Sequence, residues 1–185
     1  MSQPGPAGAG GAAAVDTAWA TDAPADPDAP AVPRPPAVPD AAGDAATVTE
    51  LLGRPPGADF TVARRDGSGR PVVICNAAHL RDGTPMPTLY WLVDPDLRRA
   101  VDRLEAAGGV KQAEVAVDPD ALAGAHRRYA ARRDAAIPAW WAGPRPSGGV
   151  GGTRRGVKCL HAHYAWYLAG GDDPVGAWVH ARLGR

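Results

Sequence analysis

The first 44 residues set how much of this chain can fold. They hold 14 Ala and 9 Pro but no Leu, Ile or Phe, too little apolar surface to offset the entropy of ordering them. Their proline spacing favours extended polyproline conformations over helix. Residues 1–44 are therefore expected to be a disordered tail or tether, and residues 45–185 a single domain. The same division separates the charge. The tail carries six Asp and one Arg, whereas the remainder holds 19 basic and 14 acidic residues, a net of +5 that the neutral total conceals. All of those 19 except Lys111 and Lys158 are arginine, whose planar fork suits bidentate contact with phosphate or carboxylate. The excess is small for a nucleic-acid binder, so nucleic acid is not an expected partner.

Residues 1–30 lack a cationic start with a continuous apolar stretch, and no run of 18 apolar residues occurs. Neither secretion nor membrane insertion is expected, and the expected compartment is the cytoplasm. Two cysteines, Cys75 and Cys159, are too few for a disulfide framework and are expected to be reduced there.

The rest of the chain reads as an α+β domain: a small, mostly antiparallel sheet of about three strands, followed by four helices packed on it. Thr47–Leu52 has the look of a short helix stopped by Gly53 and Pro55-Pro56. Phe60–Ala63 and Pro71–Cys75 are rich in β-branched residues and flank Arg65-Asp66-Gly67-Ser68-Gly69, a hairpin composition. Thr88–Val93 is the third strand. Asp94-Pro95-Asp96 and Asp118-Pro119-Asp120 each offer an Asp cap followed by proline in the first turn, so each predicts a helix start. The first helix should end at Gly108-Gly109. The second carries Leu122, Ala125, His126 and Tyr129 on one stripe and turns Arg127, Arg128, Arg132 and Arg133 outward. Residues 138–146 form a loop whose Trp140 and Trp141 are expected to fold back on the core, or else to meet a protein partner, as the tail also could. The spacing of Val157, Leu160, Tyr164 and Leu168 predicts a helix over 157–169, with a last one over 174–183.

The densest chemistry lies at the start of that 157–169 helix. Backbone N–H groups after Gly156, with Arg154, Arg155 and Lys158 beside them, make a candidate site for a small anion such as phosphate. Cys159 and His161 are candidate catalytic residues, a thiol nucleophile with an imidazole base. In a continuous helix Cys159 and His163 stand about one turn apart, with His161 roughly 160° from both. Only Cys159 and His163 could then share a metal ion, with Cys75 or His79 completing the ligands; without a second paired motif no metal is expected. The spacing Gly151 to Gly156 imitates half a P-loop, yet Val157 precedes Lys158, Cys159 stands where Ser/Thr belongs, and no strand precedes it.

The ordered combination of Leu80, Asp82-Gly83-Thr84-Pro85-Met86-Pro87-Thr88-Leu89-Tyr90-Trp91-Leu92, the helix after Asp94-Pro95, Val157-Lys158-Cys159-Leu160-His161 and Pro174-Val175-Gly176 resembles the bacterial domain-of-unknown-function family 501, over about residues 47–180. The resemblance implies a small cytoplasmic bacterial protein without an established activity, in a cell-envelope or phosphate context suggested by gene neighbours. Similar proteins commonly carry cysteine where this chain has Asp66, and often cysteine or histidine where it has Asp94, which speaks against a cysteine-based metal cluster; a histidine frequent farther along the 157–169 helix is replaced by Trp166. The expected role is that of a binding or accessory protein holding a small anion around Arg154–His163; its cofactor is unknown.

Overall fold

The computed structural model describes residues 43–185, so the expectation of a disordered tail falls almost entirely outside the described residues. Helix α1 (Asp44–Leu52) takes in Asp44, which the composition had assigned to the tail. Its carboxylate pairs with Arg65 at 2.6 Å, near the end of the first strand.

Three strands, β1 (Phe60–Arg65), β2 (Pro71–Asn76) and β3 (Tyr90–Leu92), form an antiparallel sheet in that order. The β1–β2 turn is locally encoded. Asp66 Oδ1 accepts hydrogen bonds from the Ser68 and Arg70 backbone N–H groups, both at 2.9 Å, an Asx turn that reverses the chain. The register runs Phe60 to Asn76, Thr61 to Cys75 and Val62 to Ile74, then shifts at a bulge. Central β2 is buried on both faces. Ile74 packs with Val48 and Leu51 of α1 and with Val93. Val73 on the other face joins Leu92, Tyr90 and the main core. That alternation gives each face of one strand its own cover.

The main core is helical: α2 (Pro95–Ala106), α3 (Gly109–Ala116), α4 (Pro119–Ala135), α5 (Leu160–Leu168) and α6 (Pro174–Arg182). Both Asp-Pro starts form as expected, with Asp94 Oδ1 accepting from the Leu97 N–H at 2.7 Å and Asp118 Oδ1 from the Ala121 N–H at 2.8 Å. The four helices expected after the sheet become five, because Gly108-Gly109 stops α2 and immediately starts α3. Gly108 takes φ 81°, and a side chain on Gly109 would meet the Leu104 carbonyl at 2.6 Å, so the double glycine permits a tight reversal. Helix α5 is nearly enclosed: Leu160, Ala162, His163, Tyr164, Ala165 and Trp166 are all buried. It packs on β3 and α6 and so holds the chemically dense segment at its N-terminal end.

Helix α4 corrects one expectation. Arg133 is 2% exposed rather than outward, donating to the Gly148 carbonyl at 2.6 Å and pairing with Asp134 at 2.8 Å. Arg132 donates to the Tyr90 hydroxyl at 3.4 Å and Arg128 pairs with Asp172 at 2.6 Å. Arg127 alone of the four has no hydrogen-bond or ion-pair partner among the described residues.

Candidate functional site

Helix α5 begins at Leu160, three residues later than the hydrophobic spacing predicts, and the cause is tertiary. Gly156 takes φ 64°, and the Glu114 carboxylate of α3 comes so close that a side chain there would meet its Oε1 at 2.5 Å. That same Oε1 accepts from the Val157 N–H at 2.7 Å, and Glu105 Oε1 of α2 accepts from the Leu160 N–H at 2.6 Å. Two carboxylates of the protein itself thus occupy backbone donors that the anion expectation had left open. Cys159 becomes the cap residue with extended angles, φ −157° and ψ 122°.

That extended residue changes which side chains meet. Cys159 Sγ lies 3.8 Å from His161 Nδ1, and Glu105 Oε1 lies 3.3 Å from the same nitrogen. On its other edge His161 Nε2 faces the Arg98 carbonyl at 3.3 Å and Asp102 Oδ1 at 3.2 Å. Both ring nitrogens therefore face acceptors, an arrangement that only the doubly protonated ring satisfies in full. Burial opposes the charge, but the hydrogen bond and charge at Cys159, the Glu105 carboxylate and the Arg98 carbonyl outweigh it and raise His161 to about 9. The pairing of Cys159 with His163 implied by a helix from Val157 does not form. His163 is turned into the core, where its Nδ1–H donates to Asp173 Oδ2 at 2.7 Å.

Asp173 is a hub that the sequence reading missed. It is 2% exposed, and its Oδ1 caps α6 by accepting from the Val175 and Gly176 N–H groups, both at 2.9 Å. The Asp-Pro signature at 173–174, the same as at 94–95 and 118–119, could have identified it. His126 packs edge to face on His163, with ring centroids 5.7 Å apart. Its Nδ1 accepts from the Val150 N–H at 3.1 Å, so Nε2 carries the proton donated to the Gly156 carbonyl at 3.1 Å. His126 is therefore a neutral ring tying α4 to the glycine-rich loop.

Burial holds His126 below the ordinary imidazole value; the Gly156 carbonyl opposes this and the neighbouring His163 adds to it. A depressed folded-state value means that the unfolded chain takes up the proton first. The contribution to stability is complete above about pH 6.5 and is lost as the pH falls through the folded-state value. Because His161, raised to about 9, acts with the opposite sign, the test is the difference: between about pH 7 and about pH 5 His126→Gln should lose less urea stability than the parent, and equal slopes in the two proteins would contradict it.

Arg154, Arg155 and Lys158 are all exposed, and none of their side chains has a hydrogen-bond or ion-pair partner among the described residues. Of the three, Arg154 lines a cleft of about 490 Å³ between α4 and the loop 146–149, together with Arg127, Arg133 and His126; Arg155 and Lys158 do not. Arg133 forms part of the wall by holding Gly148. Trp141 packs on His79 with ring centroids 4.1 Å apart and planes tilted by 36°, and donates its Nε1–H to the Pro144 carbonyl at 3.1 Å. Trp140 is 78% exposed, so only one of the two tryptophans folds back.

These features define a small α+β domain with a glycine loop, a basic cleft and a thiol–imidazole–carboxylate cluster around one helix start. The chain belongs to the DUF501 family: the family model described as "Protein of unknown function (DUF501)" matches residues 62–181, from β1 into α6. Neither a curated protein nor a solved structure matches the chain. No helix among the described residues is long and apolar enough to cross a membrane.

Proposed function

We propose that this domain is a binding or accessory protein that takes a small phosphate-like anion in the cleft between α4 and residues 146–149. The observation that carries the proposal is that Arg127 and Arg154 line one cleft while neither has an internal partner among the described residues. Two arginines lining one cleft without carboxylates to neutralise them favour an anion with several acceptor oxygens. Asp134, the acidic residue of the lining, is already paired with Arg133. Arg155 and Lys158 stand close in sequence and add positive potential rather than direct contact.

Phosphate or polyphosphate should raise the melting temperature, by about 2.7 kcal/mol of stabilisation at a hundredfold excess over Kd and hence by several degrees. Arg127→Ala with Arg154→Ala should abolish the shift, and high salt should weaken it. Arg155→Ala with Lys158→Ala should only reduce it. No shift at low ionic strength, or equal loss in both double variants, would refute the cleft as the site.

A second function, thiol-dependent catalysis with Cys159 as nucleophile and His161 beside it, is supported by the Sγ–Nδ1 separation of 3.8 Å. It requires iodoacetamide to modify Cys159 in preference to Cys75; equal or slower modification of Cys159 would exclude it.

A further inference from the structure

We propose that Glu105, Cys159 and His161 form a binding site for one zinc-like divalent cation, with a fourth coordination position left open. One donor atom from each, a carboxylate oxygen, the thiol sulfur and a ring nitrogen, lies within 4.8 Å of the other two. The two separations to Nδ1 are 3.8 Å from the sulfur and 3.3 Å from the carboxylate oxygen. A tetrahedral centre with ordinary zinc–sulfur, zinc–nitrogen and zinc–oxygen bonds sets its ligand atoms about 3.3–3.6 Å apart. The two separations to Nδ1 are within a few tenths of an ångström of that geometry, and the sulfur and the carboxylate, within 4.8 Å of each other, have to draw together by about an ångström at most to take the ion. The backbone that achieves this is the extended Cys159, since a helical residue there would send the thiol and the imidazole to opposite faces.

The surroundings of His161 fit the role of a ligand. Its Nε2 faces the Arg98 carbonyl and the Asp102 carboxylate, partners that hold the proton on that nitrogen, so that an arriving metal displaces the other proton and takes the Nδ1 lone pair. Glu105 Oε1 is oriented by the Leu160 N–H, so the carboxylate is already held in position. One thiolate and one imidazole among the donors select a borderline-soft ion such as Zn²⁺ over Mg²⁺ or Ca²⁺. The Asp102 and Glu105 carboxylates, 3.2 and 3.3 Å from the His161 ring, give the surroundings a negative character that a dication balances. His161 and Glu105 keep 23% and 28% of their side-chain surface exposed, which leaves a path for the ion and for a water or ligand in the fourth position. The site is separate from the basic cleft and shares no residue with it.

The test uses the full chain, stripped with a chelator, kept reduced and titrated with Co²⁺ as a spectroscopic probe. One equivalent should bind with the intense visible absorption of a tetrahedral centre and a sulfur-to-cobalt charge-transfer band, and Zn²⁺ should displace it. Cys159→Ser should remove the charge-transfer band, and His161→Ala should weaken binding by at least about tenfold. Cys75→Ser should leave both signals intact, and Zn²⁺ should protect Cys159 from iodoacetamide. Cys159→Ser exchanges one atom, so a metal-free melting temperature near that of the parent makes its result decisive. No charge-transfer band in the parent protein, a band that survives in Cys159→Ser, or one lost in Cys75→Ser would overturn the site.

Discussion

Asp173→Ala is expected to lower the stability of the domain by about 2–4 kcal/mol, the sum of leaving the buried His163 donor without its acceptor and removing a helix cap. The carboxylate serves three donors at once, the His163 ring at 2.7 Å and the Val175 and Gly176 N–H groups at 2.9 Å. Without it the His163 Nδ1–H is buried with no acceptor, because His163 has a side-chain exposure of only 1%. The first turn of α6 loses its cap in the same step, worth about 1 kcal/mol of that total. Asp173→Asn keeps an oxygen for the two backbone donors but loses the charge facing the imidazole, so its loss should be smaller. Urea denaturation read by tryptophan fluorescence measures both variants. An alanine variant that loses less than about 1 kcal/mol would mean that the α5–α6 junction relaxes around the missing carboxylate.

Gly176→Ala should destabilise by about 3 kcal/mol, although alanine is the better helix former by about 1 kcal/mol. The added methyl would lie 2.3 Å from Tyr167 Cβ and 2.7 Å from the His163 carbonyl oxygen, both far inside contact distance. One neighbour is backbone and the other is the first side-chain atom of a residue on α5, so neither can swing aside as a flexible chain end would. Steric overlap therefore outweighs propensity. The helices would have to separate, exposing the packing of Val175 and Val179 against Tyr164 and Ala165 in the main core. A melting temperature unchanged or raised in Gly176→Ala would show that the α5–α6 spacing yields at little cost.

The two lesions lie at the same junction, which also holds His126 and therefore the wall of the basic cleft. Asp173 holds His163, His163 packs on His126, and His126 ties the loop through Val150 and Gly156. Phosphate binding, as proposed for the cleft, should be weakened by either change through disorder in residues 146–149, without any loss of the guanidiniums that would contact the anion.

Much of the architecture is written locally. Asp94 and Asp118 cap their helices through hydrogen bonds spanning three residues, and Asp66 forms its turn through bonds spanning two to four. Such signals survive in the sequence because donor and acceptor are near neighbours in the chain. The continuous β-branched run Val72-Val73-Ile74 likewise marks a strand, and the structure buries all three residues. The site was legible only in its residue types. Cys159, His161 and Arg154 stand out by composition, but the partners that give them a geometry do not. Glu105 reaches Leu160 across 55 positions, Glu114 reaches Val157 across 43, and Arg133 reaches Gly148 across 15.

By itself, then, the sequence determined the hairpin, the capped helix starts, the α+β class and the membership of residues 62–181 in their family. The tertiary structure alone decided that α5 starts at Leu160, that Cys159 meets His161 rather than His163, and that Arg133 is buried while Arg127 and Arg154 face a shared cleft. The physical reason is the range of the forces involved. Propensity and capping act within a turn of the chain, whereas a carboxylate arriving from another helix takes the first free N–H groups and sets where a helix can begin.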